Sequence, residues 1–257
     1  MSVNTYLQGL GSSLVLSSSE RSSISTSVDT IKSRLTSYFG SSVTEKKLYG
    51  SYVRETILPR KADEKSDVDL MVVFSNPYRY QPQTFLNKLK EFAEYYYSRS
   101  EIYQSSPTIV LELNHIKFEL TPACVNYGSY YIPKSSSEWM YNDPDGFYSK
   151  LTECNKNNSY KIKPIVRILK HWNIQKNYRD IASFELERKI AEELMDAYFS
   201  CTSYTDYLKY ALEKIKYSAN YTRVNKALDC IAEALRLEAD GYPYSAVSKI
   251  KEAFPER

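Results

Sequence analysis

Two short runs decide how this chain is read: Leu48-Tyr49-Gly50-Ser51, and then Ser66-Asp67-Val68-Asp69-Leu70-Met71-Val72-Val73-Phe74. The pattern predicts a strand, a Gly-Ser turn that opens a helix, a polar loop, and a second strand carrying two aspartates. Successive side chains on a strand point to opposite faces. Val68, Leu70, Val72 and Phe74 are therefore expected to bury on one side, with Asp67 and Asp69 emerging together on the other. Two carboxylates so placed repel each other unless positive charge sits between them, and divalent cations with hard oxygen preferences meet that need. Gly50 lets a ligand approach the backbone closely, and Ser51 puts a hydroxyl and an N–H at a helix N-terminus, a seat for phosphate. A phosphate seat beside a carboxylate pair points to phosphoryl or nucleotidyl transfer. Arg54, on the helix start, is a better phosphate contact than Arg60 or Lys61, which read as solvated charges of the following loop.

Working outward, Thr108–Leu113 and Ile116–Thr121 form two alternating runs joined by Asn114-His115, the pattern of a β-hairpin. Ile116, Phe118 and Leu120 bury together, while Lys117, Glu119 and Thr121 face the other way. If this strand lies antiparallel beside the aspartate strand, Glu119 reaches the same cations. Glu112 on the partner strand is the rival third carboxylate, and Glu119 is preferred for its sequence context. His115 reads as a turn residue.

The flanking segments read as scaffold. Ile24, Val28, Ile31, Leu35 and Tyr38 recur at helical spacing up to Gly40, and residues 83–98 repeat the pattern with Phe85, Leu86, Leu89, Phe92, Ala93 and Tyr96 inside. Tyr95-Tyr96-Tyr97 reads as core or rim. Residues 1–22 are Ser-rich and weakly patterned, and 124–160 read as a long irregular segment. From Lys163 the chain turns helical, with Pro164 in the first turn. Ile165, Ile168, Leu169 and Trp172 mark the buried face, Lys170 lies off that stripe, and His171 reads as a surface residue or one behind the site. Ser183 is a good N-cap for the next helix, which Leu194, Ala197 and Tyr198 continue, and three further apolar stripes follow before the end of the chain.

A chain of 257 residues with 25% charged residues and a net charge of +3 buries a real core and is no polybasic nucleic-acid coat. It has no apolar run near the roughly 20 residues that span a bilayer, and its start lacks the features of a signal peptide. Cys124, Cys154, Cys201 and Cys230 lack CxxC spacing and His neighbours, the usage of reduced cytosolic thiols. The expectation is a soluble cytoplasmic protein with no membrane partner and no strong nucleic-acid-binding surface.

Gly50-Ser51 followed by Asp67-Val68-Asp69 resembles the hG[GS]…DhDh signature of the DNA polymerase β-like nucleotidyltransferase superfamily. The run Tyr49–Phe74 is similar to one branch of it, the bacterial cGAS/DncV-like nucleotidyltransferases (CD-NTases), except that Glu55 stands where many relatives have Gly. Phe118-Glu119-Leu120-Thr121-Pro122-Ala123 looks like the strand that brings the third carboxylate. The resemblance covers residues 45–125 well and 160–200 moderately.

It implies an α+β fold, a polymerase β-like core (a small mixed sheet with helices) packed against a C-terminal helical bundle. Residues 1–160 would form the catalytic core and 161–257 a helical domain completing the nucleotide cleft. It also implies two Mg²⁺ (or Mn²⁺) ions on Asp67, Asp69 and Glu119. Gly50, Ser51, Lys170 and Ser183 would grip the phosphates of a ribo- or deoxyribonucleoside triphosphate, and Phe184 would stack on its base. The product would be a signalling oligonucleotide, cyclic or linear, made in anti-phage defence and read by a separate effector protein. Transfer to a tRNA end or a protein hydroxyl, and an inactive nucleotide-binding sensor, are the alternatives.

Overall fold

The computed structural model describes residues 1–76 and 79–257, which fall into two compact units. A sheet unit comprises 16–54 and 65–146, and a helical unit comprises 1–15, 55–64 and 147–257. These units are not the contiguous halves, 1–160 and 161–257, suggested by the sequence.

In the sheet unit the strands are β1 (Val43–Tyr49), β2 (Asp67–Phe74), β3 (Ile102–Ser105), β4 (Thr108–Glu112), β5 (Lys117–Asn126), β6 (Ser129–Pro133) and β7 (Trp139–Asn142). The order is β1-β2-β5-β4-β3, with β6 extending from β5 and β7 from β6. The sheet is mixed, as expected. The hairpin forms with Leu111 opposite Phe118, but β5 runs parallel to β2, not antiparallel. A parallel neighbour needs a crossover connection, and it is supplied by α4 (Pro82–Tyr96) together with β3 and β4. Residues 124–142, read as irregular, continue the sheet through β6 and β7. The β-favouring Tyr130, Tyr131 and Ile132 carry that extension.

One face of the sheet packs on α4 and α2 (Ser18–Phe39). Phe74 at the end of β2 touches Phe39 and Phe85 at ring distances of 5.1 and 4.8 Å. The second helix starts earlier than its apolar repeat because Ser17 and Glu20 form a capping box. Tyr96 and Tyr97 lie at the rim, under the guanidinium of Arg34.

The helical unit holds α1 (Val3–Ser13), α5 (Pro144–Asn157, of which 147 onward belongs here), α6 (Ile162–Gln175), α7 (Ser183–Glu193), α8 (Tyr204–Ile215), α9 (Tyr221–Ala239) and α10 (Pro243–Ala253). Its first helix, invisible as a pattern among the serines, buries Val3, Leu7 and Leu10 in the same core as Ile165, Ile168 and Trp172. Arg167 explains why the 55–64 segment belongs here. Its guanidinium donates to the Gly11 carbonyl and, at 2.9 Å, to that of Glu55.

The sixth helix lies at the centre, against α1, α7 and α8, so both its faces are covered. Lys170 and His171, read from the sequence as off the buried stripe, are buried, and burial pushes the His171 pKa down. The seventh helix ends at Glu193, and Ala197–Phe199 form a separate 3₁₀ turn. All four cysteines are free, and burial raises their pKa values, that of Cys154 to about 12, which suits unreactive thiols. Among the described residues no helix is long and apolar enough to cross a membrane.

Candidate active site

The first two strands and the fifth build the carboxylate cluster. Asp67 and Asp69 begin β2, where the buried–exposed alternation holds, and from Leu70 onward both faces are covered. Met71 and Val73 pack with Ala123 and Ile132 to form an apolar patch on the aspartate face just beyond the carboxylates. In the parallel ladder Asp69 lies directly opposite Glu119 and Asp67 directly opposite Lys117. Opposed residues share a face, so Glu119 stands beside Asp69, as the sequence reading required. Glu112 lies one strand further out, opposite Lys117, which separates the two candidates for the third carboxylate.

Gly50 closes the other side. Its φ is +74°, and a Cβ added there would lie 1.7 Å from Asp69 Oδ2. The close approach that requires glycine is thus made by the chain's own carboxylate. Ser51 follows on α3 (Gly50–Val53), a single turn packed on β2. Arg54, proposed from the sequence as a phosphate contact, is buried, and its positive charge favours ionised Asp69. Tyr49, opposite Asp69 on β1, shares a 2.7 Å hydrogen bond with Thr121.

The electrostatics are those of an overloaded acidic site. Burial, with the negative charges of Asp67 and Glu119, pushes the Asp69 carboxyl up to about 8, against the pull of Arg54 and Lys117. Lys117 answers part of that charge: its ammonium lies 3.2 Å from Asp67 Oδ2 and 2.9 Å from Glu119 Oε1. Burial opposes its charge, but the hydrogen bond to Glu119 and the fields of both carboxylates win, and its pKa stands above the ordinary lysine value. Sequence reading placed Lys117 on the acidic face without a role, although its position two residues before Glu119 was the available signal.

Among the described residues no three His, Cys, Asp or Glu side chains converge closely enough to hold a metal ion as they stand. The donor chemistry nevertheless fits a divalent cation: three carboxylates on two adjacent strands, with burial and the charges of Asp67 and Glu119 holding the Asp69 carboxyl above the ordinary carboxylate range.

The helical unit carries the other predicted residues. Ser183 is the first residue of α7 and not its cap, because Ala182 takes that position without a side-chain bond. Phe184 is 52% exposed and meets Phe147 edge-on at 5.2 Å. Lys170 does not present its ammonium to solvent. It lies 2.9 Å from Glu187 Oε2 and 3.2 Å from the Thr56 carbonyl oxygen, and the Thr56 hydroxyl donates to Glu187 Oε1 at 2.7 Å. Lys170, Ser183 and Arg179 also line a cavity of about 140 Å³. In the sequence Glu187 closes the run Ser183-Phe184-Glu185-Leu186-Glu187 without a role of its own and Thr56 is unmarked, since nothing local signals a buried polar triad assembled from distant segments.

The sheet order and the placement of Asp67, Asp69 and Glu119 define a polymerase β-like nucleotidyltransferase fold. Residues 1–155 match the family model described as the Second Messenger Oligonucleotide or Dinucleotide Synthetase domain. The chain belongs to that family and is a bacterial CD-NTase. It is 26% identical over 182 residues to the cyclic AMP-AMP-AMP synthase of an Acinetobacter strain, covering 66% of this chain and 50% of the relative. The chain thus spans about half the length of that curated relative.

Among solved structures, Escherichia coli CdnC with ATP superposes over 100% of this chain and 98% of its own, at a TM-score of 0.73 and 10% identity. Elizabethkingia meningoseptica CdnE cyclic dinucleotide synthase with GTP and Apcpp covers 78% and 81%, at 0.61 and 22%. Vibrio cholerae DncV cyclic AMP-GMP synthase, with a linear intermediate, covers 83% and 68%, at 0.66 and 11%. At these identities the likeness is one of fold.

Proposed function

We propose that this chain is a metal-dependent nucleotidyltransferase that makes a signalling oligonucleotide, cyclic or linear, from nucleoside triphosphates in bacterial anti-phage defence. The observation that carries the reading is the pairing of Asp69 with Glu119 across two parallel strands, with Asp67 on the same face and Gly50 closed over Asp69. The family match and the curated synthase relative support an oligonucleotide product. The product itself is read by a separate effector protein.

Asp67, Asp69 and Glu119 are the residues to hold two Mg²⁺ or Mn²⁺ ions. Cations bound there supply charge neutralisation for the triphosphate and make an acceptor hydroxyl easier to deprotonate. The chain's own groups do the rest. Ser51 and the backbone around Gly50 contact the phosphates of the nucleotide. Ser183 offers its hydroxyl, at the N-terminus of α7, to phosphate oxygens. Phe184, half exposed, stacks on the base. The positive charge of Arg54 pulls Asp69 toward its ionised form, against burial and the neighbouring carboxylates. Lys170, spent on Glu187, braces α6 against α7 and serves the phosphates through that scaffold.

The test is incubation of purified protein with all eight NTPs and dNTPs plus Mg²⁺ or Mn²⁺, products being read by mass spectrometry. A product made by the wild type and absent from Asp67→Asn/Asp69→Asn establishes the synthetase. Labelling only after addition of cellular RNA or protein moves the acceptor to a macromolecule and refutes the small-molecule product. Nucleotide binding without turnover, under conditions that activate related synthetases, leaves a sensor.

A further inference from the structure

The carboxylate cluster holds a cation of its own. Lys117 pairs with Asp67 across the β2–β5 ladder and shares a face with Glu119, and its ammonium sits between their oxygens at 3.2 and 2.9 Å. The lysine side chain is largely buried, with 15% of its surface exposed, so this contact is not one of the weak, water-screened pairs of a protein surface. The two carboxylates are arranged about that ammonium, and as they stand they do not converge with Asp69 on a common point.

We propose that Lys117 is the resident counter-charge of the unloaded site. It holds Asp67 and Glu119 while no divalent cation is bound, competes with the cation for their oxygens, and gives them up on loading. The inference rests on the reading of Asp67, Asp69 and Glu119 as cation ligands. Its physical basis is the repulsion among three carboxylates on neighbouring strands, which favours any internal cation that lies between them. A carboxylate oxygen committed to an ammonium at under 3 Å is a poor ligand for a second cation, and the two positive charges repel at short range.

The fold also supplies a destination. Glu112 lies directly opposite Lys117 on β4, on the same face. Directly opposed side chains start about 4.5–5.5 Å apart at Cβ, so an ammonium leaving Asp67 and Glu119 has this carboxylate as its cross-strand neighbour. Lys117 is thus a positioning residue: it sets the cation concentration at which the site loads and keeps the ligands ordered below that concentration.

The test reads cation binding without turnover. Mn²⁺ would be titrated, with no nucleotide present, into the wild type, Lys117→Met, Lys117→Arg, Glu112→Gln and Asp67→Asn/Asp69→Asn. Free ion would be followed by electron paramagnetic resonance and melting measured in parallel. Lys117→Met is expected to bind Mn²⁺ on the order of tenfold tighter, to melt lower than the wild type in chelator, and to gain more stability from Mn²⁺. Lys117→Arg, which keeps the charge, stays at or below wild-type affinity, and Glu112→Gln binds more weakly. If Lys117→Met is poorly folded, Lys117→Gln, which retains hydrogen-bond donors, takes its place. Unchanged or weaker Mn²⁺ binding by the neutral variants, with binding still abolished in the double aspartate variant, overturns the role of Lys117 and leaves the ligand reading standing. Mn²⁺ binding that survives in the double aspartate variant overturns both. A neutral variant that loses nucleotide affinity at unchanged Mn²⁺ affinity makes Lys117 a substrate contact and also overturns the proposal.

Discussion

Breaking the buried pair of Lys170 and Glu187 should destabilise the protein far more than removing the pair whole. Both side chains are almost fully buried, at 5% and 0% exposure, with 2.9 Å between charged atoms. In Glu187→Gln the ammonium is left with the Thr56 carbonyl at 3.2 Å and the Thr56 hydroxyl at 3.5 Å, contacts that do not neutralise it. In Lys170→Met the carboxylate retains the Thr56 hydroxyl but loses the ammonium that stood 2.9 Å away. Stranding one partner of a buried pair costs about 3–5 kcal/mol. At about 2–4 °C per kcal/mol for chains of this size, each single change lowers the Tm by roughly 6–20 °C. The double variant Lys170→Met/Glu187→Leu removes both charges together and should sit near the wild type, since apolar replacement of a whole pair is often neutral or better. Urea unfolding of the wild type, Lys170→Met, Glu187→Leu and the double variant closes the cycle. Additive losses, or single variants within about 1 kcal/mol of the wild type, would refute the brace. If Lys170 instead serves as a direct phosphate contact, Glu187→Gln is tolerated, while Lys170→Met raises the nucleotide KM without moving the Tm.

Other outcomes follow from single positions. Gly50→Ala places a methyl group 1.7 Å from Asp69 Oδ2 at a φ of +74°; it costs about 1–2 kcal/mol for the backbone alone, displaces Asp69, and abolishes Mn²⁺ binding by titration. Glu55 holds a φ of +61°, in the left-handed region that glycine adopts without the cost a side chain incurs. Glu55→Gly therefore stabilises by up to about 1 kcal/mol in a melting experiment, because the half-exposed ion pair to Lys163 that it gives up is worth little. In chelator, stability should fall as pH rises from about 4 to 8. Asp69 ionises near 3.8 when unfolded and near 8 when folded, so the native state binds the extra proton through that window and its advantage is lost as the proton leaves. Asp69→Asn flattens the profile, and denaturation midpoints at pH 5 and pH 8 that agree for the wild type would exclude the buried acid. Phe184→Ala should raise the nucleotide KM several-fold with little change in Tm, since the ring is half exposed and packs mainly on Phe147.

The local chemistry of the site was legible in the chain because strand alternation is a rule of adjacent residues. Asp67 and Asp69 had to share one face of their strand, Lys117 and Glu119 one face of theirs, and glycine accommodates the turn at position 50. Helices α2, α4, α6, α8, α9 and α10 were written in their apolar spacing for the same reason.

Tertiary structure alone decided what lies beside what. The parallel course of β5 along β2 depends on a crossover through α4 and two further strands, and no local pattern encodes strand direction. The first helix and the 55–64 segment fold with the C-terminal helices because Arg167 and a shared core hold them there. Lys170 is buried because α6 is covered on both faces, a fact that an amphipathic stripe cannot report. Glu187 and Thr56, distant in sequence, then meet it through hydrogen bonds that only the folded backbone brings within reach. Sequence specifies residue chemistry and local periodicity, whereas long-range pairing emerges from the packing that satisfies all of them at once.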